Sequence, residues 1–214
     1  MSALYHFPHC PYCIRVRLAL GYLDIPYVSN VISYDDEATP TDLIGKKMLP
    51  IWEDSDGAMC ESLDIILKLD SENQLATKDF YASADRKGFE DYLDQLGKPI
   101  HSLAWPVWIY TKEFSASARD YVLKKKEPKR GPFKNLVARK EDFLKDLAPL
   151  LHKLEQELIP FYQSSNLTIK DILLAAHLWG LYVVPEFQFS ESIHKYLQKI
   201  KKQCLFNYTD ELWL

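Results

Sequence analysis

The chain has 214 residues, 47% hydrophobic and 26% charged, with a net charge of −4 at pH 7. That is an ordinary globular composition, long enough for one large domain or two small ones, and it gives no reason to expect nucleic acid or a membrane as partner. Seven glycines argue against a loop-rich or all-β fold, and four cysteines in this length are too few for a disulfide scaffold.

The charge is uneven. Residues 1–75 carry 5 Lys/Arg against 12 Asp/Glu, and the remainder 21 against 18, so composition shifts near residue 75. Residues 1–6 lack the basic and apolar regions of an export signal, and no apolar run approaches the ~20 residues that span a bilayer. A reducing, cytoplasmic setting is therefore expected.

Ala3–Phe7 reads as a short strand that breaks at Pro8. Residues 14–23 place Ile14, Leu18 and Tyr22 on one helical line, with Leu20 and Leu23 beside it. Tyr27–Ile32, with Val28, Val31 and Ile32, reads as a second strand. Thr39-Pro40 reads as an N-cap followed by proline at the first helical position, opening a short helix towards Gly45. Leu49–Glu53 is a third strand, and the Asp54-Ser55-Asp56-Gly57 turn predicts a hairpin returning over residues 58–60. Glu61–Leu69 follows as a helix.

Beyond residue 75 the strand signals nearly stop. Helices are predicted over 83–98, 115–127, 135–163 and 186–204, punctuated or kinked by Pro99, Pro106, Pro128, Pro149 and Pro160. Thr168-Ile169-Lys170-Asp171 resembles a capping box before the most apolar stretch, Ile172–Val184, which is hydrophobic nearly all round and so is predicted to be buried.

Cys10-Pro11-Tyr12-Cys13 carries the chemistry. Cys-x-x-Cys is either half of a zinc site or a redox pair. Zinc needs four ligands, and the remaining cysteines, Cys60 and Cys204, stand far apart in sequence, with only His6 and His9 close by; no metal is expected. The redox reading has a physical basis. Cys10 falls between a strand and a helix starting near Pro11, where free N–H groups and the helix dipole favour a thiolate. Only the thiolate attacks a disulfide. Cys13, one turn further in, is the natural resolving thiol. Arg15 and Arg17 add positive charge nearby, and His9 either tunes Cys10 or is exposed.

Two weaker signals follow. Pro50 at the start of a strand cannot donate to a ladder, which suits a strand end facing a site. Glu61-Ser62 opens a helix whose N-terminus could hold a carboxylate; for Ser62 taken alone, simple capping is the plainer reading. Cys60 reads as an inert small hydrophobe, Lys124–Lys126 with Lys129 and Arg130 as a solvated helix end, and His177 as a satisfied core histidine. Trp105-Pro106-Val107-Trp108-Ile109-Tyr110 reads as core packing between domains more readily than as a substrate groove.

In this order the signals resemble the two-domain bacterial glutaredoxin-2 type, which has a glutathione-transferase-like body. The resemblance covers nearly the whole chain. It rests on His9–Cys13, Asp35–Thr41, Gly45–Ile51, Glu61–Ile65, Ser117–Tyr121 and Lys124–Glu127; the tail Tyr208–Leu214 has no match. The resemblance implies an α+β thioredoxin-like domain (β-α-β-α-β-β-α) over residues 1–72, a linker over 73–84, and an all-α domain over 85–214. It implies Cys10 as nucleophile and Cys13 as resolving thiol. Tyr12, Leu49 before a cis Pro50, Glu61 and Ser62 would hold glutathione as co-substrate. Glutathionylated or disulfide-containing proteins would be the partners of a monomer. The competing readings are a glutathione transferase, which needs no Cys-x-x-Cys, and a non-catalytic partner-binding protein, which needs neither cysteine; fold alone does not separate them.

Overall fold

The computed structural model describes residues 2–207; the tail Tyr208–Leu214 lies outside the described residues. Four strands come first in the chain: β1 Ala3–His6, β2 Val28–Val31, β3 Ile51–Asp54 and β4 Gly57–Cys60. They form one sheet in the order β2-β1-β3-β4. β1 runs parallel to β2 and antiparallel to β3, with Tyr5 opposite Ile51, and β3 pairs antiparallel with β4 through the Asp54–Gly57 turn. Interleaved with them are α1 Pro11–Tyr22, α2 Ala38–Ile44 and α3 Ser62–Leu69. The implied β-α-β-α-β-β-α order is the observed one. The register gathers the end of β1, the start of β3 and the end of β4 at one edge of the layer.

After α3 the chain is helical: α4 Thr77–Ala82, α5 Arg86–Trp108, α6 Ala116–Arg130, α7 Phe133–Ala138, α8 Lys140–Gln156, α9 Ile169–Leu178, a 3₁₀ turn Trp179–Val183, and α10 Glu191–Gln203. One continuous apolar core runs through both parts. α1 packs against α3 and also against α9 and α10. It is covered on all sides, which is why even Arg15 and Arg17 are buried in it.

Several boundaries differ from the sequence expectation. Thr39 is not an N-cap: Glu37 holds that position and the helix opens at Ala38, two residues before Pro40, while Asp36 accepts from both the Thr39 N–H (3.0 Å) and its hydroxyl (2.7 Å). The helix expected to end at residue 98 continues through Pro99 and Pro106 to Trp108. A proline inside a helix costs about 3 kcal/mol, but Leu96, Ile100, Leu103 and Ala104 are buried around these prolines, and their packing outweighs it. Pro128 and Pro149 likewise lie inside α6 and α8. The helix expected over 135–163 is two helices that stop at Gln156, followed by a turn containing the cis Ile159-Pro160 peptide. The segment expected as helix from residue 186 becomes helical only at Glu191, capped by the Ser190 hydroxyl.

The capping box at α9 forms. Asp171 Oδ2 accepts from the Thr168 N–H at 2.8 Å, while Oδ1 accepts from the Tyr162 N–H (2.8 Å) and the Tyr196 hydroxyl (2.9 Å). One buried carboxylate thus ties the turn before α9, α9 itself and α10 together.

Candidate functional site

β1 leads directly into the site through Phe7, Pro8 and His9. Cys10 is the N-cap of α1, with extended backbone (φ −69°, ψ 121°), and Pro11 occupies the first turn. The Cys10 carbonyl accepts from the N–H groups of Cys13 and Ile14, each at 2.9 Å. Its thiol is pushed from an ordinary 9.0 down to about 7, first by a hydrogen bond from Cys13, then by the N–H groups of Cys13 and Tyr12 and the charge of Arg15; burial opposes them. Cys13 is fully buried. Burial and the neighbouring Cys10 push its thiol well up, although the Phe7 N–H donates to Sγ at 3.4 Å. The pair is therefore split into one half-exposed, acidic thiol and one buried, protonated thiol.

Arg15, whose direction the sequence leaves open, points across α1. Its Nη1 donates to Ser62 Oγ at 3.4 Å, its Nη2 lies 3.3 Å from His177 Nε2, and its Cζ sits 4.6 Å from the centre of the Tyr12 ring. Burial holds His177 neutral, well below its usual pKa, so it can accept from the guanidinium. Tyr12 is exposed and meets His177 edge-on at 6.3 Å.

The Leu49-Pro50 peptide is cis. Leu49, Met48 and Lys47 border a 270 Å³ cavity whose far wall is Tyr121, Lys125, Lys126 and Lys129. Ser62 is not the cap of α3. Glu61 is, at φ 73°, a left-handed conformation uncommon for a non-glycine residue. Ser62 is buried at the first helical position, bonded to Arg15. Glu61 is exposed, with Lys46 Nζ at 4.0 Å. Cys60 is half-buried opposite Ile51 at the end of β4.

A second cavity of 430 Å³ lies against Cys10, between the sheet layer and the helices. Six residues with plainer readings in the sequence meet there. His9 is not exposed; it is buried between Trp108 and Phe114, with Thr111 Oγ1 at 2.8 Å and Glu113 Oε2 at 3.3 Å. Trp105 and Trp108 are buried as core and also line this cavity, while Tyr110 of the same cluster is exposed. His177, taken for a core histidine, lines it too. The basic run is not simply a solvated helix end. Lys126 and Arg130 turn into the cavity, and Lys125 reaches Glu37 at 3.9 Å, beside the hydrogen bond from Tyr121 to Glu37. The spacing of the run on α6 carried no sign of this, because the direction depends on how α6 is laid across α2.

Among the described residues, no group of three or more His, Cys, Asp or Glu is placed to hold a metal ion, and no helix is long and apolar enough to cross a membrane.

Two family models match: "Glutathione S-transferase, N-terminal domain" over residues 4–76 and "Glutaredoxin 2, C terminal domain" over residues 89–209. Glutaredoxin 2 of Escherichia coli strain K12 is 30% identical over 209 residues, covering 95% of this chain and 96% of that one. The crystal structure of glutaredoxin 2 from Salmonella typhimurium, in complex with glutathione, superposes with a TM-score of 0.86 at 29% identity, over 100% of this chain and 99% of that one. Glutathione transferase GSTFuA3 from Phanerochaete chrysosporium shares the fold, with a TM-score of 0.76 at 16% identity over 94% and 96% of the two chains. With that fold, this length of match and an acidified thiol at a helix N-terminus, the chain belongs to the glutaredoxin 2 family of oxidoreductases.

Proposed function

We propose that this chain uses glutathione to reduce glutathione mixed disulfides and protein disulfides, with Cys10 attacking and Cys13 resolving. The observation that carries this reading is the split thiol pair, since half-exposed Cys10 has its thiol at about 7 while buried Cys13 stays protonated. In the first step Cys10 thiolate attacks the glutathionyl sulfur of a mixed disulfide, and the other thiol leaves with the electron pair. A second glutathione thiolate then attacks the Cys10 mixed disulfide, freeing oxidised glutathione and the Cys10 thiolate. With a protein disulfide, Cys13 displaces the partner from Cys10 and an internal disulfide forms, which glutathione reopens.

Glutathione is held, in this reading, along the edge where β1 and β4 end and β3 begins. Leu49, beside the cis Pro50, pairs its backbone with the cysteinyl part, Glu61 and Ser62 hold the γ-glutamyl end, and Tyr12 flanks it. The glutathione complex of the Salmonella typhimurium relative supports glutathione as the ligand, and the cis Leu49-Pro50 peptide beside this edge supports its placement. Residues 1–72 supply the redox centre, 73–84 connect, and 85–214 supply the opposite wall, acting together as a monomer in the reducing cytoplasm. A transferase would activate glutathione's own thiol through a hydroxyl and have no use for an acidified cysteine, and a scaffold would need neither thiol.

The test is reduction of a small glutathione mixed disulfide, coupled to glutathione reductase. Cys10→Ser should abolish it, a loss of at least about 10³-fold given loss of the nucleophile, while Cys13→Ser should keep it and lose protein-disulfide reduction. Wild type that conjugates an electrophile but reduces no mixed disulfide would overturn the reading.

A further inference from the structure

The 430 Å³ cavity against Cys10 is more elaborate than a disulfide exchange requires. Its walls are Tyr34, Trp105, Trp108 and Phe114, with His101 and His177 beside them. Burial holds both histidines neutral, His101 down to about 4. Into this aromatic box turn Lys126, whose Nζ lies 5.3 Å from the Trp105 ring centre, and Arg130. Both are half-buried, and among the described residues neither ion-pairs with a carboxylate. The acids that border the space are otherwise placed: Glu113 is paired with His9 at 3.3 Å, and Asp94 is exposed on α5. Two partly desolvated cations without a carboxylate partner among the described residues, set against aromatic walls, match a ligand that is flat and anionic.

The cavity also lies on the correct side of the thiol. Phe7 and Tyr34, stacked at 4.4 Å, border both this space and the 270 Å³ space beside Leu49. Cys10 borders only the larger one. A disulfide attacked at Cys10 would therefore keep its glutathione half on the Leu49 side and extend its other half into the aromatic box. A volume of 430 Å³ falls in the range of small-molecule sites.

We propose that this cavity binds the leaving half of a glutathione mixed disulfide whose thiol carries an aromatic ring and a carboxylate, with Trp105 and Arg130 as the specificity-determining residues. The inference rests on the glutaredoxin reading above and names a substrate class for it. Cys10 sulfur bonds to the glutathionyl sulfur, the substrate S–S bond breaks, and the arylthiolate leaves with the electron pair and takes a proton from water. A glutathione thiolate then attacks the Cys10 mixed disulfide and frees the Cys10 thiolate, so one mixed disulfide and one glutathione thiol give one arylthiol and one oxidised glutathione.

The test compares three glutathione mixed disulfides, made with 4-mercaptobenzoate, with 4-mercaptobenzamide and with 2-mercaptoethanol, each corrected for its uncatalysed rate. The benzoate and benzamide share ring and leaving sulfur and differ in charge. Wild type should favour benzoate over benzamide in kcat/KM by about tenfold, the scale of a charge-assisted hydrogen bond, and Arg130→Gln should bring that ratio to about one. Trp105→Leu should lower the benzamide-to-hydroxyethyl ratio severalfold. Calorimetric binding of 4-(methylthio)benzoate to the intact protein should weaken in Arg130→Gln in the same proportion. Turnover of all three without preference, and without change in either ratio, would overturn the inference and leave the glutaredoxin reading standing. Turnover of none would sink both.

Discussion

At Cys10, the thiol sits at about 7 where an ordinary one sits at 9.0. Because a thiol gains reactivity by losing its proton, alkylation of reduced protein by iodoacetamide should rise with pH through about 7 and level off above it. The Cys13 contact is the largest depressing influence and Arg15 a smaller one, so Cys13→Ala should move the midpoint up further than Arg15→Gln. A midpoint near 9 in the wild type would contradict the geometry. Much of this was legible in the sequence, since a cysteine followed by proline at a helix start fixes the N–H donors that face it. Arg15 and His177 were not, because they meet across 162 positions in the chain, and no local pattern encodes that. The capping reading of Ser62 fails for a related reason. Its hydroxyl has two possible partners, its own helix and Arg15, and only the packing of α1 on α3 decides between them.

Element boundaries show where local signals hold and where packing overrides them. The Asp-Gly hairpin and the Thr168 capping box form as local chemistry dictates, whereas the prolines in α5 do not break it because buried neighbours hold the helix on both sides of each. Asp171 joins the two kinds of information. Its capping role is local, while its bonds to the Tyr162 N–H and the Tyr196 hydroxyl are tertiary. Asp171→Ala should destabilise the protein by about 3 kcal/mol, combining a lost cap with buried donors left unpaired. The measurement is the urea midpoint at constant slope. A loss under 1 kcal/mol would mean that the capping role alone matters.

For the molecule as a whole, the uneven charge along the chain meets partly at the seam, where Lys125 and Tyr121 of α6 meet Glu37 at the start of α2. The seam is also apolar, with α1 enclosed by α3, α9 and α10. A fragment of residues 1–72 should therefore fail to fold alone, because the cut bares the side of α1 that α9 and α10 cover. Circular dichroism and amide exchange would check this, and a cooperatively folded fragment would refute it. The two-part organisation was legible from the fading of strand signals near residue 75. The continuity of the core was not, since periodicity says which face of a helix is apolar and nothing about which neighbour will cover it.

The stacked Phe7–Tyr34 pair, a wall common to two chambers, has a consequence for inhibitor chemistry. A compound reaching round that wall would seat a peptide-like head beside Leu49 and an aryl acid beside Trp105. Once one end is docked, the other is held at high local concentration, so avidity grows with no improvement in either contact. The variable to optimise is then the length and stiffness of the tether.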